Sequence, residues 1–131
     1  MNCLDRPDRA TTEETAALAS EWKKVAPNFG EYLAWSNISC SYWQAEATGV
    51  PKEITAPGTP TILVVGTVND PATPYAWSQA LATQLSKGVL LTLDGDGHTA
   101  YYQGSKCIDE IVDNFYLTGE AEDGITCTDG P

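Results

Sequence analysis

The chain has 131 residues, 42% of them hydrophobic, which is enough for one globular core and makes a single domain the natural count. Seven Lys and Arg against 18 Asp and Glu leave a net charge of −11. That balance argues against nucleic acid and anionic membranes as partners, because both need a cationic face.

In chain order, residues 1–50 read as a helical, aromatic-rich segment. Thr11 or Thr12 can cap a helix, with Glu13 and Glu14 at its positive end. From Glu13 to Val25, Ala17, Leu18 and Trp22 recur at helical spacing, and Pro27 stops the run. Phe29, Tyr32, Leu33 and Trp35 lead into Cys40-Ser41-Tyr42-Trp43, and ordinary packing is the expectation for these aromatics. The Pro- and Gly-rich residues 48–60 form a linker, so the chain is divided into 1–50 and 51–131.

Beyond the linker, Ile62-Leu63-Val64-Val65 is a continuous apolar run that suits a strand buried on both faces of a parallel sheet. Pro71 and Pro74 stiffen the loop that follows. Ala76, Trp77, Ala80, Leu81 and Leu85 then mark an amphipathic helix over 75–85, with Gly88 as its stop. Val89 to Leu93 is the next buried strand, and Asp94-Gly95-Asp96-Gly97-His98 is a loop. Ile108, Ile111, Val112, Phe115 and Leu117 mark a last helix from Cys107 to Leu117, ended by Gly119. The tail from Glu120 to Pro131 is polar and held only if Cys127 is bridged.

Four cysteines with no close pair disfavour zinc and redox motifs and allow three disulfide pairings. The sequential one, Cys3–Cys40 with Cys107–Cys127, keeps each staple in its own segment and is preferred. Each bridge would stabilise by roughly 2–4 kcal/mol. Four reduced, buried thiols are the alternative.

No stretch approaches the ~20 apolar residues of a membrane span. Met1-Asn2-Cys3-Leu4-Asp5 has neither a basic nor an apolar leader region, so no signal peptide is read in this chain. An acidic, disulfide-bearing chain fits export, and the two readings are reconciled if the chain is a fragment of a longer secreted parent.

The one His is the most informative residue. In a strand–helix–strand unit the two strands run parallel and open on the same sheet edge, so Asp70 and His98, far apart in sequence, emerge together. A carboxylate there accepts the ring N–H and fixes the tautomer that makes the imidazole a base. Gly95 and Gly97 would let the backbone bring the His forward. The alternative is a turn aspartate before Pro71 and a surface histidine. The Asp94-x-Asp96-x-His98 spacing lacks the further oxygen ligands and terminal Glu of a calcium loop, so neither metal nor cofactor is expected.

Gly66-Thr67-Val68-Asn69-Asp70-Pro71-Ala72-Thr73-Pro74 resembles the G-x-x-x-D-P-x-T-P segment of secreted actinobacterial tripeptidyl aminopeptidases, serine exopeptidases of the α/β-hydrolase fold. Gly95-Asp96-Gly97-His98, Ser105-Lys106-Cys107, Tyr116-Leu117-Thr118-Gly119 and Gly124-Ile125-Thr126-Cys127 resemble that family's G-x-G-H, S-x-C, Y-L-x-G and G-x-x-C. Cys3-Leu4-Asp5 and Cys40-Ser41-Tyr42-Trp43 resemble its C-x-D and C-x-x-W. Nearly the whole chain is covered, in order. The resemblance implies the C-terminal domain of a tripeptidyl aminopeptidase-like α/β-hydrolase, with Asp70 as triad acid, His98 as triad base and two sequential disulfides.

A G-x-S-x-G elbow is absent from this chain. Ser105 lacks a preceding apolar strand, and Cys40 and Cys107 are better read as bridge halves. The expectation is therefore the last strands and helices of the fold, carrying two triad residues and inactive alone, with peptide substrate and nucleophile belonging to the full-length parent. Such a piece would leave an apolar sheet edge at the Asp70 strand and would tend to pair or aggregate. The competing reading is a non-catalytic, disulfide-stapled binding domain using residues 29–43.

Overall fold

The computed structural model describes residues 2–128, and the chain divides into two compact units, Met1–Lys52 and Glu53–Pro131. The first unit contains α1 (Asn2–Asp5), α2 (Thr12–Val25), α3 (Gly30–Ala34) and a tight 3₁₀ stretch over Trp35–Tyr42. Thr11 is the cap of α2. Its hydroxyl accepts from the Glu14 N–H at 3.2 Å, and the Glu14 carboxylate accepts from the Thr11 N–H at 2.8 Å. Such a reciprocal cap contributes about 1 kcal/mol.

The buried face of α2 is Thr15 and Ala19, not the expected Ala17, Leu18 and Trp22. Close approach decides this: a Cβ on Gly30 would stand 2.2 Å from the Trp22 carbonyl oxygen, so small residues line the contact. Phe29, Tyr32, Tyr42 and Trp43 are exposed, contrary to the packing expectation. A unit this small has too little interior for them.

Polar hardware replaces a large core here. The Cys3–Cys40 disulfide ties α1 to the 3₁₀ stretch. The Arg9 guanidinium donates to the carbonyls of Cys40 (2.5 Å), Trp43 (2.7 Å), Cys3 (3.1 Å) and Ala45 (2.7 Å).

The second unit is a parallel three-stranded sheet of order β1-β2-β3, formed by β1 (Ile62–Asn69), β2 (Gly88–Asp96) and β3 (Ile125–Thr128). Helix α4 (Tyr75–Gln84) connects β1 to β2, and α5 (Lys106–Thr118) connects β2 to β3. Strand register pairs Leu63 with Val89, Val65 with Leu91 and Leu91 with Ile125. Leu91, Leu93 and Cys127 pack with Ile108 and Val112 of α5 and with Ala100, forming the core on one sheet face.

The alternate residues meet α4. The Tyr75 hydroxyl hydrogen-bonds Thr92 at 2.7 Å, and a Cβ on Gly66 would meet Ser78 Cβ at 2.7 Å. The inward face of α4 is consequently Tyr75, Ser78 and Ala82, with Leu85 half-buried just beyond its end, while Trp77 and Leu81 of the expected face are exposed. Gly88 does not cap α4 but begins β2, and Leu117 of α5 is exposed.

Two boundaries differ from expectation where the site lies. Strand β2 continues to Asp96, so Asp94 and Gly95 belong to the strand and the loop begins at Gly97. The polar tail contains β3, four residues paired with Leu91 to Asp94 and joined to α5 by Cys107–Cys127. Both disulfides are thus sequential. Among the described residues β1 is paired on one side only, and no helix is long and apolar enough to cross a membrane.

Candidate active site

Asp70 follows β1 and His98 follows β2, and the parallel pairing puts both chain ends on one edge of the sheet. The ladder slips there. Thr67 lies opposite Leu93, but Asn69 lies opposite Asp96, so β2 carries an extra residue. An irregularity of this kind re-aims the chain that follows. Gly97 then turns at φ 112°, in the region open to glycine, and His98 comes forward.

The two side chains meet. His98 Nδ1 lies 3.0 Å from Asp70 Oδ2 and 3.1 Å from Oδ1. The carboxylate is nearly enclosed, its side chain 4% exposed, whereas the imidazole is 52% exposed. Asp70 also accepts from the backbone N–H of Ala72 and of Thr73 through Oδ1, both at 2.8 Å. The Thr73 hydroxyl donates to Oδ2 at 2.7 Å, and the Thr99 N–H at 3.4 Å.

These donors decide the charge state. Burial of the carboxylate pushes its pKa up, but the Thr73 N–H, the Thr73 hydroxyl, the Ala72 N–H and His98 together outweigh it. Asp70 is held well below the usual carboxylate range. An ionised carboxylate only accepts, so the proton on the facing ring nitrogen is His98's: Nδ1–H donates to Asp70. In the neutral ring Nε2 then carries the lone pair, on an imidazole half open to solvent. That is the tautomer of a general base.

The loop after His98 is anchored at several points. Thr99 has φ 68°, a conformation costing a β-branched residue on the order of 1–3 kcal/mol. Its carbonyl accepts from the buried Thr67 hydroxyl at 3.2 Å. Ala100 is in the core, and the Tyr101 hydroxyl donates to Asp113 of α5 at 2.5 Å, which with the neighbouring Tyr102 raises the Tyr101 pKa. The Tyr102 N–H donates to Asp109 at 2.7 Å.

Sequence reasoning named Asp70 and His98, and the structure brings them into contact. It passed over Thr73 as a functional residue, although the Asp-Pro-x-Thr spacing is a turn in which an aspartate accepts from the residues after it. Thr99 has no comparable signal, because a left-handed threonine is imposed by its neighbours. Ser105 is 1% exposed and its hydroxyl accepts from the Ile108 N–H as the cap of α5. Among the described residues no serine hydrogen-bonds His98.

The family model described as "TAP-like protein", of the α/β-hydrolases, matches residues 26–127. This chain belongs to that family. It is 35% identical over 122 residues to the "Serine protease Hip1" of Mycobacterium tuberculosis and 34% identical over 122 residues to that organism's "Carboxylesterase B". Each match covers 91% of this chain and 23% of the relative. It is 32% identical over 97 residues to the "Tripeptidyl aminopeptidase" of Streptomyces lividans, covering 72% of this chain and 18% of that protein. The chain therefore spans less than a quarter of the length of these relatives, and the parallel sheet with a helix on each face is a partial α/β-hydrolase fold.

Proposed function

We propose that this chain is the C-terminal portion of a secreted serine exopeptidase and supplies two members of a Ser-His-Asp triad. Asp70 is the acid and His98 the base, and the serine, with its oxyanion hole, lies in the N-terminal half of the hydrolase. His98 Nε2 would take the serine proton as the hydroxyl attacks the substrate carbonyl, and then deliver it to the leaving amine. Asp70 holds the ring tautomer and stabilises the imidazolium formed in between. The observation that carries this reading is the 3.0 Å contact between Nδ1 and a buried, many-donor carboxylate on adjacent parallel strand ends.

Two of these relatives, a serine protease and a tripeptidyl aminopeptidase by name, favour peptides as substrates. The two disulfides favour an oxidising, extracellular setting. No cofactor enters the mechanism. With no nucleophile of its own, the chain alone has no peptidase activity, and a fluorophosphonate probe would leave it unlabelled. Stoichiometric labelling would overturn that statement.

The deciding experiment places this chain in the matching region of the Streptomyces lividans relative and follows cleavage of a tripeptide p-nitroanilide. His98→Ala should lower kcat on the order of 10⁴-fold or more, and Asp70→Asn on the order of 10⁴-fold through the wrong tautomer. A His98→Ala chimera as active as its parent would refute the assignment. It would favour the second reading, a non-catalytic binding module, to which the exposed Phe29, Tyr32, Tyr42 and Trp43 lend support.

A further inference from the structure

We infer that Thr67 is a positioning residue for the base: its buried hydroxyl clamps Thr99 in left-handed backbone and thereby aims His98 at Asp70. This role presupposes the acid–base reading of Asp70 and His98.

Thr67 lies in β1, 2% exposed, three residues before Asp70. At a buried strand position, valine would fill the same volume without a polar group to satisfy, so packing does not account for the hydroxyl. Its partner does. The hydroxyl donates across to the Thr99 carbonyl, while the Thr99 N–H donates to Asp70 Oδ2. Both polar backbone groups of residue 99 are thus held from the β1 side. They act as extra rungs beyond the last ladder pair, Asn69 with Asp96.

His98 sits between a permissive Gly97 and this clamped Thr99. Released, Thr99 would relax toward negative φ, where a β-branched residue is at ease, and the peptide linking it to His98 would rotate. The imidazole would then lose its aim at the carboxylate.

The test reads the imidazole of the chain itself, by ring nitrogen shifts and exchange of the Nδ1 proton in mildly alkaline solution. The unaltered chain should show the Nδ1–H tautomer. Thr67→Val should speed exchange of that proton roughly fivefold, the factor one lost hydrogen bond confers, and admit the Nε2–H form. Thr67→Ser should restore both. In a Thr99→Gly background, where glycine takes the left-handed backbone without strain, Thr67→Val should change exchange by less than about twofold.

If Thr67→Val leaves tautomer and exchange untouched, or acts equally in both backgrounds, the clamp is refuted while the acid–base reading stands. An Nε2–H tautomer in the unaltered chain would overturn both. Should Thr67→Val fail to fold, the Thr99 carbonyl carbon of the unaltered chain carries the test. Deuteration of the Thr67 hydroxyl should shift that resonance, and no shift would refute the clamp.

Discussion

Replacing Cys107 and Cys127 together by Ala separates two contributions that hold β3. The bridge closes a separation of 20 residues, and constraining a loop of that length in the unfolded chain stabilises by about 3 kcal/mol. The Cys127 side chain is also buried against Leu91 and Leu93, so truncating its sulfur adds about 1 kcal/mol. The expected total of about 4 kcal/mol is a large share of the 5–15 kcal/mol typical of a domain. Urea unfolding of the second unit would measure it. Native-state hydrogen exchange would locate it, with the amides of Ile125 to Cys127 losing protection and those along the β1–β2 ladder retaining more. The His98–Asp70 pair, built on β1 and β2, should keep its tautomer. A midpoint corresponding to less than about 0.5 kcal/mol of change, with β3 amides still protected, would refute the staple as the element that holds this strand.

Acid should act through Asp70. Its pKa is depressed in the folded chain relative to about 3.9 in the unfolded one, so its contribution is complete above that value and fades as pH falls through the lower, folded one. Melting curves of the native chain and Asp70→Asn should therefore differ at neutral pH and converge in strong acid, and a gap independent of pH would contradict this. Gly66→Ala drives a Cβ to within 2.7 Å of Ser78 Cβ and 3.0 Å of the Tyr75 ring, so thermal unfolding should show a loss of about 1–3 kcal/mol as α4 is pushed off the sheet. Arg9→Lys replaces a planar fork serving four carbonyls by a point charge that cannot span them. Denaturation of the first unit should reveal a loss of about 2 kcal/mol, and a neutral substitution would show that the carbonyls are satisfied otherwise.

Residue order alone determined the parts that depend on local pattern. The continuous apolar run Ile62–Val65 and the largely apolar Val89–Leu93 suit strands buried between two helical layers, and a helix-length connection between them makes the strands parallel. Parallel neighbours open on one edge, which is why the sequence pairs Asp70 with His98. What required the tertiary structure was everything set by close approach or by a distant partner. Gly30 and Gly66 admit neighbours so near that Thr15 and Ala19 turn inward on α2, and Tyr75, Ser78 and Ala82 on α4, in place of Leu18, Trp22, Trp77 and Leu81. Strand β3 is four residues with polar neighbours and exists because Leu91 to Asp94 and Cys107 hold it. Thr99 is left-handed because Thr67 and Asp70 grip both ends of its peptide groups, a constraint that no run of neighbouring letters encodes.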